Sequence, residues 1–445
     1  MDHLLAARAQ MGTSLAFHFI FSALGIGLPV LLILAEGEWL RTKDARFYRL
    51  ARTWSRAMAV LFAVGAVSGT VLSFELGLLW PEFMRHAGPI IGIGFSAEGF
   101  AFFIEAIFVG IYLYGWDRLT PFHHWLCAFP IAISGAASSF FVVAANAWMN
   151  TPAGFRIAHG KAVDIDPWAA IANPAMPTEF LHTTLAAYVF TGFAVAAVYA
   201  FAALRAPGAI YLRNGLRLAM LLGAVAIPLQ IVVGDLSARF DASAEPAKFA
   251  AMEDQYHTQA GAPLRIGGLT NERTETTAGA IEIPYLLSFL AREDPRATVL
   301  GLDTFAAGER PHPSLVHPAF DVMVGTGSTL LLLAGWWAWT TLRRRQAPGR
   351  WLLRALVASG PLAFLAMECG WMVTEEGRQP WIVHGFMKTS AAVTTAPALD
   401  VAFFGFSLLY VLLAASLVWL LLRIGRHGKE DAGTSLARGP EGVAA

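Results

Sequence analysis

His18, His182 and Met323 each lie inside a different long apolar segment. Imidazole nitrogen and thioether sulfur are the axial ligands that hold haem iron in electron-transfer proteins. Three carboxylates, Glu98, Glu105 and Glu375, sit in similar surroundings. A charge at the centre of a membrane helix costs roughly 2.5–3.5 kcal/mol even on insertion scales, so a functional role is the default for such a group. Glu98 and Glu105 are seven residues apart, nearly two turns, so they share a helix face. One could ligate a metal while the other relays protons. Each residue also has a plainer reading. A membrane Met packs, a His bonds across helices, and stacked carboxyls can form a hydrogen-bonded pair. His123 and His124, in a polar connection, read as solvated. The set taken together points to a row of haems rather than a pore or a carrier.

Composition sets the surroundings. The chain has 445 residues, 56% hydrophobic and 14% charged, against about 25% charged in an average soluble domain. A polytopic membrane protein follows. The formal net charge is zero, which leaves no electrostatic case for nucleic acid. Cys127 and Cys369 are the two cysteines, both in apolar segments, so a disulfide framework or a cysteine-based metal site is not expected. The first apolar run is too long for a signal peptide core and lacks its flanking pattern.

Nine runs are long enough to cross ~30 Å of hydrocarbon. They lie near 11–39, 53–79, 92–116, 125–149, 178–204, 215–235, 319–342, 351–375 and 398–423. The expected fold is therefore all-α, with nine transmembrane helices. Basic residues follow the first, fifth, seventh and ninth runs: Arg41 to Arg52, Arg205 to Arg217, Arg343 to Arg354, and Arg423 to Lys429. The positive-inside bias then puts the N-terminus outside and the C-terminus in the cytoplasm. The expected division is helices one to six in 1–235, a long outer loop in 236–318, helices seven to nine in 319–424, and a disordered cytoplasmic tail in 425–445. Within the loop, Gly261 to Gly279 is rich in turn residues. The patch Ile281-Glu282-Ile283-Pro284-Tyr285-Leu286-Leu287 is too short to span and is expected at the membrane interface. On this topology His18, Glu98, His182, Met323 and Glu375 all fall in the outer third of the bilayer, with His18 ~10 Å deep at 1.5 Å per residue.

The stretch Gly370-Trp371-Met372-Val373-Thr374-Glu375-Glu376-Gly377-Arg378-Gln379-Pro380-Trp381 resembles the signature of subunit I of cytochrome bd-type quinol oxidases. The resemblance runs along almost the whole chain: Phe17-His18-Phe19, Glu98 to Glu105 leading to Gly115-Trp116-Asp117-Arg118-Leu119, Glu179 to Thr183, Gly234 to Ser237, Pro246 to Glu253 and His317 to Gly325. It implies that His182 and Met323 are the two axial ligands of a low-spin haem b. It implies that His18 and Glu375 serve high-spin haems, that Glu98 is a further ligand at the oxygen-reducing haem d, and that Trp371 and Arg378 lie beside these groups. Glu105 would sit on a proton route, and Lys248 and Glu253 would serve quinol. The chain departs from the pattern at Asp321, where many members have Arg, and at Glu245, where many have Gln. Its short loop is similar to the short-loop, cyanide-insensitive branch, some of whose members carry a further haem b in place of haem d.

The reaction so implied is oxidation of membrane quinol at the outer face coupled to reduction of O₂ to water, in a bacterial inner membrane, without a pump. The implied partners are a homologous subunit II and a small single-helix subunit. A carboxylate such as Glu253 is suited to take the quinol proton. No clustered helical histidines suggest a copper site. Two other readings stand beside this one: a haem-bearing, quinone-linked electron-transfer subunit that does not reduce O₂, and a secondary transporter with buried carboxylates, which internal inverted symmetry would favour.

Overall fold

The structure is a computed structural model that describes residues 2–437, with side chains placed through 425. Among the described residues nine helices are long and apolar enough to cross a membrane. The helices in chain order are α1 (His3–Thr42), α2 (Ala45–Leu79), α3 (Pro81–Tyr114), α4 (Pro121–Leu126), α5 (Ala128–Asn150), α6 (Pro167–Ile171), α7 (Met176–Arg205), α8 (Ile210–Ala244), α9 (Pro246–Met252), α10 (Leu286–Arg292), α11 (Pro313–Ala338), α12 (Arg350–Gly377), α13 (Thr389–Ala392) and α14 (Leu399–Ala437). The fourth span is α4 and α5 together, interrupted at Cys127.

Several helices run past their apolar cores. α1 begins at His3 and α3 at Pro81, well before the apolar runs do, and α8 continues to Ala244. Where a helix stops is set by its caps rather than by hydropathy. Lys43 closes α1 in the left-handed conformation, Asp44 caps α2 by accepting from the Arg46 N–H, and prolines stand at the starts of α3, α9 and α11. The polar segment between α8 and α11 spans 245–312. The part of the tail beyond Ala437 that was expected to be disordered lies outside the described residues.

Two groups of helices make the bundle. α7, α8, α11 and α12 pack as one four-helix unit, and α1, α2, α3 and α5 as another; α1 against α7 joins them, and α14 covers α1 and α2. Close approach depends on glycine at two of these seams. A β-carbon on Gly192 of α7 would meet Gly223 of α8 at 2.5 Å, and one on Gly27 of α1 would meet Thr191 at 2.1 Å.

The 245–312 segment is folded. Short antiparallel pairs join 264–266 to 281–283, 269–271 to 276–278 and 259–260 to 298–299. The turn-rich Gly261 to Gly279 is thus hairpin structure. Ile281 to Tyr285 is exposed strand and turn, and of the patch expected at the membrane interface Leu287 alone is buried, beneath α8 and α9. We expect Gly192→Val to force α7 and α8 apart and lower stability by about 1–3 kcal/mol, the usual cost of overpacking. A thermal unfolding curve of the purified protein checks it; an unchanged midpoint would contradict the close seam.

Candidate functional site

His182 lies in the first turns of α7, and its ring is cradled by α8. Its Nε2 stands 3.0 Å from Gln230 Nε2, and a β-carbon at Gly234, one turn on, would meet the ring at 3.3 Å. Its Nδ1 is buried and makes no hydrogen bond among the described residues. Met323, on α11, is held by α12: its sulfur would lie 3.1 Å from a β-carbon on Gly370. The two side chains belong to the same four-helix unit, and glycine on each facing helix leaves room beside the donor atom. A buried imidazole with an unsatisfied nitrogen and a thioether in one bundle fit a six-coordinate haem.

His18 is on α1. Its Nδ1 pairs with Ser68 Oγ at 2.9 Å, and its ring lies against Gly69 of α2. That fixes the ring and leaves Nε2 without a protein hydrogen bond among the described residues. The next residue, Phe19, stacks on Trp371 of α12, centroids 4.1 Å apart and 15° from parallel.

Glu375, near the end of α12, accepts from Asn146 Nδ2 at 2.5 Å and from Arg378 Nη2 at 2.6 Å. Arg378 is 3% exposed and also donates from Nη1 to Asn150 Oδ1 at 2.9 Å, and the Asn150 amide donates to Glu179 Oε1 at 2.7 Å. Arg378 Nε is buried and makes no hydrogen bond among the described residues, so the guanidinium keeps one donor for an anionic group such as a haem propionate. Beside this network Arg8 donates to both oxygens of Glu376.

Glu98 accepts from Ser138 Oγ at 3.0 Å, across from α3 to α5. Glu105, 7% exposed, sits where β-carbons on Gly25 of α1 and Gly135 of α5 would touch its carboxyl, at 3.9 and 3.6 Å. Among the described residues no three His, Cys, Asp or Glu side chains converge on one metal position. The candidate ligands are instead spread singly, one or two to a site, as haem irons require.

Lys248 lies within α9 and Glu253 caps its end, at the start of the folded 245–312 segment. Lys248 Nζ is 3.2 Å from Asp241 and 3.4 Å from Glu245. Burial pulls its ammonium down, but Asp241, Glu245 and Glu179 outweigh that and hold it above its ordinary value. The carboxyl of Glu253, a residue 5% exposed, makes no hydrogen bond among the described residues; its backbone N–H donates to the Phe249 carbonyl at 3.1 Å. Burial pushes its carboxyl up to about 8, with Asp321 adding and Arg265 opposing. Asp321, the departure beside Met323, accepts from the Gly267 N–H at 2.6 Å and lies 3.4 Å from His317 Nε2, so it ties the hairpin segment to α11.

With this geometry in hand, the comparisons with known proteins decide the family. The sequence pattern of the family "Cytochrome bd terminal oxidase subunit I" matches residues 6–429. This chain belongs to it. It is 38% identical to the putative cytochrome bd menaquinol oxidase subunit I of Bacillus subtilis (strain 168), over 97% of this chain and 98% of that one. It is 32% identical to cytochrome bd ubiquinol oxidase subunit 1 of the same organism, over 97% and 95%. The bd oxidase structure from Geobacillus thermodenitrificans superposes with a TM-score of 0.91 at 39% identity, covering 96% of this chain and 99% of that one. The protein is a terminal quinol oxidase subunit, multi-pass in the inner membrane, with haem and quinol chemistry.

Of the cytochrome bd site, several partners escape a reading of the sequence. Asn146 and Asn150 stand four apart in an apolar helix, a signal that is present but easily passed over. Asp241, Glu179 and Glu245 come to Lys248 from three elements, which spacing does not reveal. Glu368, on the α12 face that also carries Trp371 and Glu375, has a buried oxygen that makes no hydrogen bond among the described residues. His124 is a correction. It is 2% exposed, not solvated, because the one-turn helix α4 folds it back against Glu36 and Tyr112. Lys248→Met should cost about 3–5 kcal/mol by stranding buried carboxylates, and adding Asp241→Asn should recover part of it. Thermal unfolding of the two variants checks this; an unchanged midpoint in Lys248→Met would show that the lysine compensates nothing.

Proposed function

We propose that this subunit oxidises quinol under the 245–312 segment and reduces O₂ through three haems, with protons taken from the opposite face and no pump. The observation that carries it is the division of donors: His182 and Met323 inside one four-helix unit, and His18, Glu98 and Glu375 spread over α1, α3 and α12. Bound haem supplies the one-electron relay and, at an iron with an open position, the binding of O₂. The His182/Met323 pair suits a low-spin haem b. His18 and Glu375 suit the high-spin pair, a haem b and a haem d or a further haem b, with Glu98 at the oxygen-reducing one. Arg378 and Trp371 orient and neutralise what lies beside Glu375.

Glu253 takes the quinol proton. Its carboxyl makes no hydrogen bond among the described residues and has a raised proton affinity, so it holds a proton after accepting it and then passes it to the loop face. Lys248 stays paired and keeps the carboxyl cluster of Asp241, Glu245 and Glu179 neutralised beneath the quinol. Asp321, one of the charges around Glu253, tunes that proton affinity. Glu105, between Gly25 and Gly135, carries protons inward along α3.

The basic ends of α1, α7, α11 and α14 lie opposite the 245–312 segment, which supports an N-terminus outside and a C-terminus in the cytoplasm. The outward apolar face of α3, with Phe100, Phe103 and Ile107, suits a homologous subunit II or lipid. A small single-helix subunit completes the assembly.

His182→Ala or Met323→Leu should abolish the low-spin signal in the reduced-minus-oxidised spectrum, and a pyridine haemochrome gives haem number and type; an unchanged spectrum overturns that assignment. Glu253 accepts protons only when ionised, so quinol oxidation should climb roughly tenfold per pH unit below about 8 and level off above it. Glu253→Gln should remove that slope and slow quinol oxidation more than turnover with an artificial donor. Equal slowing with both donors would take Glu253 out of the quinol site.

A further inference from the structure

At the basic end of the bundle a group of titratable side chains is sealed inside the protein and unused by the chemistry above. Glu36 is 0%, Tyr112 0% and His124 2% exposed. The Tyr112 hydroxyl donates to Glu36 Oε2 at 2.6 Å, His124 Nδ1 lies 2.6 Å from Glu36 Oε1, and His124 Nε2 lies 2.8 Å from the Tyr112 carbonyl oxygen. Because Nε2 faces a carbonyl, it must donate. One further proton then lies between Nδ1 and Oε1, shared by imidazole and carboxyl. Trp116 covers the imidazole, centroids 4.0 Å apart, and Arg52 lies 5.2 Å over the Trp116 ring. Cys127 is close enough to Tyr112 and Glu36 for their charges to act on one another. Solvent is one residue away, at exposed His123.

The place of this group in the fold gives it a use. Glu98, Glu105 and Tyr112 follow one another at seven-residue steps on one face of α3. At the first level Glu98 meets Ser138 of α5; at the second Glu105 meets Gly25 of α1 and Gly135 of α5; at the third Tyr112 meets Glu36 of α1 and His124 of α4, the N-terminal piece of the span that α5 continues. The fourth span therefore meets α3 at all three depths and α1 joins at the second and third, each step about 10 Å along α3. Pro29, lacking an N–H, frees the carbonyl of Gly25 four residues before it, beside Glu105. A polar foothold thus exists at the middle level for a proton carried between them.

We propose that Glu36, His124 and Tyr112 form the proton-loading station of the α3 route. The inference rests on the reading of Glu105 as the inward carrier. The pair gives up its shared proton, through the Tyr112 hydroxyl and transient water, to Glu105. Left behind are a carboxylate and an imidazole whose lone pair faces it. That repulsion is relieved by taking the next proton from the basic face, so each cycle moves one proton and returns the cluster to its starting state.

The test uses the complete oxidase with its partner subunit, carrying Glu36→Gln, Tyr112→Phe or Glu105→Gln. Proton uptake is followed with a pH dye during a single reaction of the reduced enzyme with O₂, and turnover is measured against pH. Glu36→Gln should slow uptake at least about tenfold and shift the alkaline limb of the pH profile to lower pH, with haem content and the rate of haem reduction by quinol unchanged. Tyr112→Phe, which leaves the Glu36–His124 bond in place, should show the same shift more weakly. A lower unfolding temperature with a wild-type pH profile and uptake rate would make the cluster a structural latch and overturn the proposal. If Glu36→Gln fails to assemble, Tyr112→Phe decides alone. Slow uptake in Glu105→Gln with normal uptake in the other two overturns this proposal only; normal uptake in Glu105→Gln overturns the inward route itself.

Discussion

The arrangement depends on keeping a guanidinium buried. Arg378 is 3% exposed, and a cation so placed is costly unless paired. Its partners come from two elements: Glu375 in the last turn of α12, which Arg378 caps, and Asn150 at the end of α5, which in turn holds Glu179 on α7. One side chain therefore pins the α7–α8–α11–α12 unit to the end of α5 in the other unit. Asn146, one turn before Asn150, takes the remaining oxygen of Glu375. The carboxyl that could hold an iron is thus oriented by two helices before any cofactor is considered.

The same rule organises the 245–312 segment, where the quinol site is proposed. Lys248 compensates three carboxyls gathered from α7, α8 and the turn into α9, while the Glu253 carboxyl makes no hydrogen bond among the described residues. Paired groups fix the scaffold and the unpaired one is free to exchange a proton. This division of labour separates Lys248 from Glu253 more sharply than their shared membership of one short motif suggests.

Much of this was legible in the sequence. Long apolar runs identify nine spans, and the cost of burying charge singles out Glu98, Glu105 and Glu375. Helix ends were not legible, because α8 carries Asp235 and Asp241 onward as a regular helix and nothing in hydropathy marks Ala244 as its end. His124 looks like its exposed neighbour His123 until the turn at Thr120 and Pro121 points the two in opposite directions. Glu36 and Glu179 could have been flagged by the same argument that flagged Glu98. Their partners could not, since Tyr112, Asn150 and Lys248 reach them from distant parts of the chain.

α12 places Gly370 against Met323, Trp371 against Phe19, and Glu375 against Asn146 within less than two turns. The residues proposed for both kinds of haem site therefore take their alignment from a single helix. Sliding or rotating that helix would disturb the two together and in fixed proportion, so evolution cannot adjust one redox centre here without retuning the other. The spacing between the centres is in effect inherited as one unit.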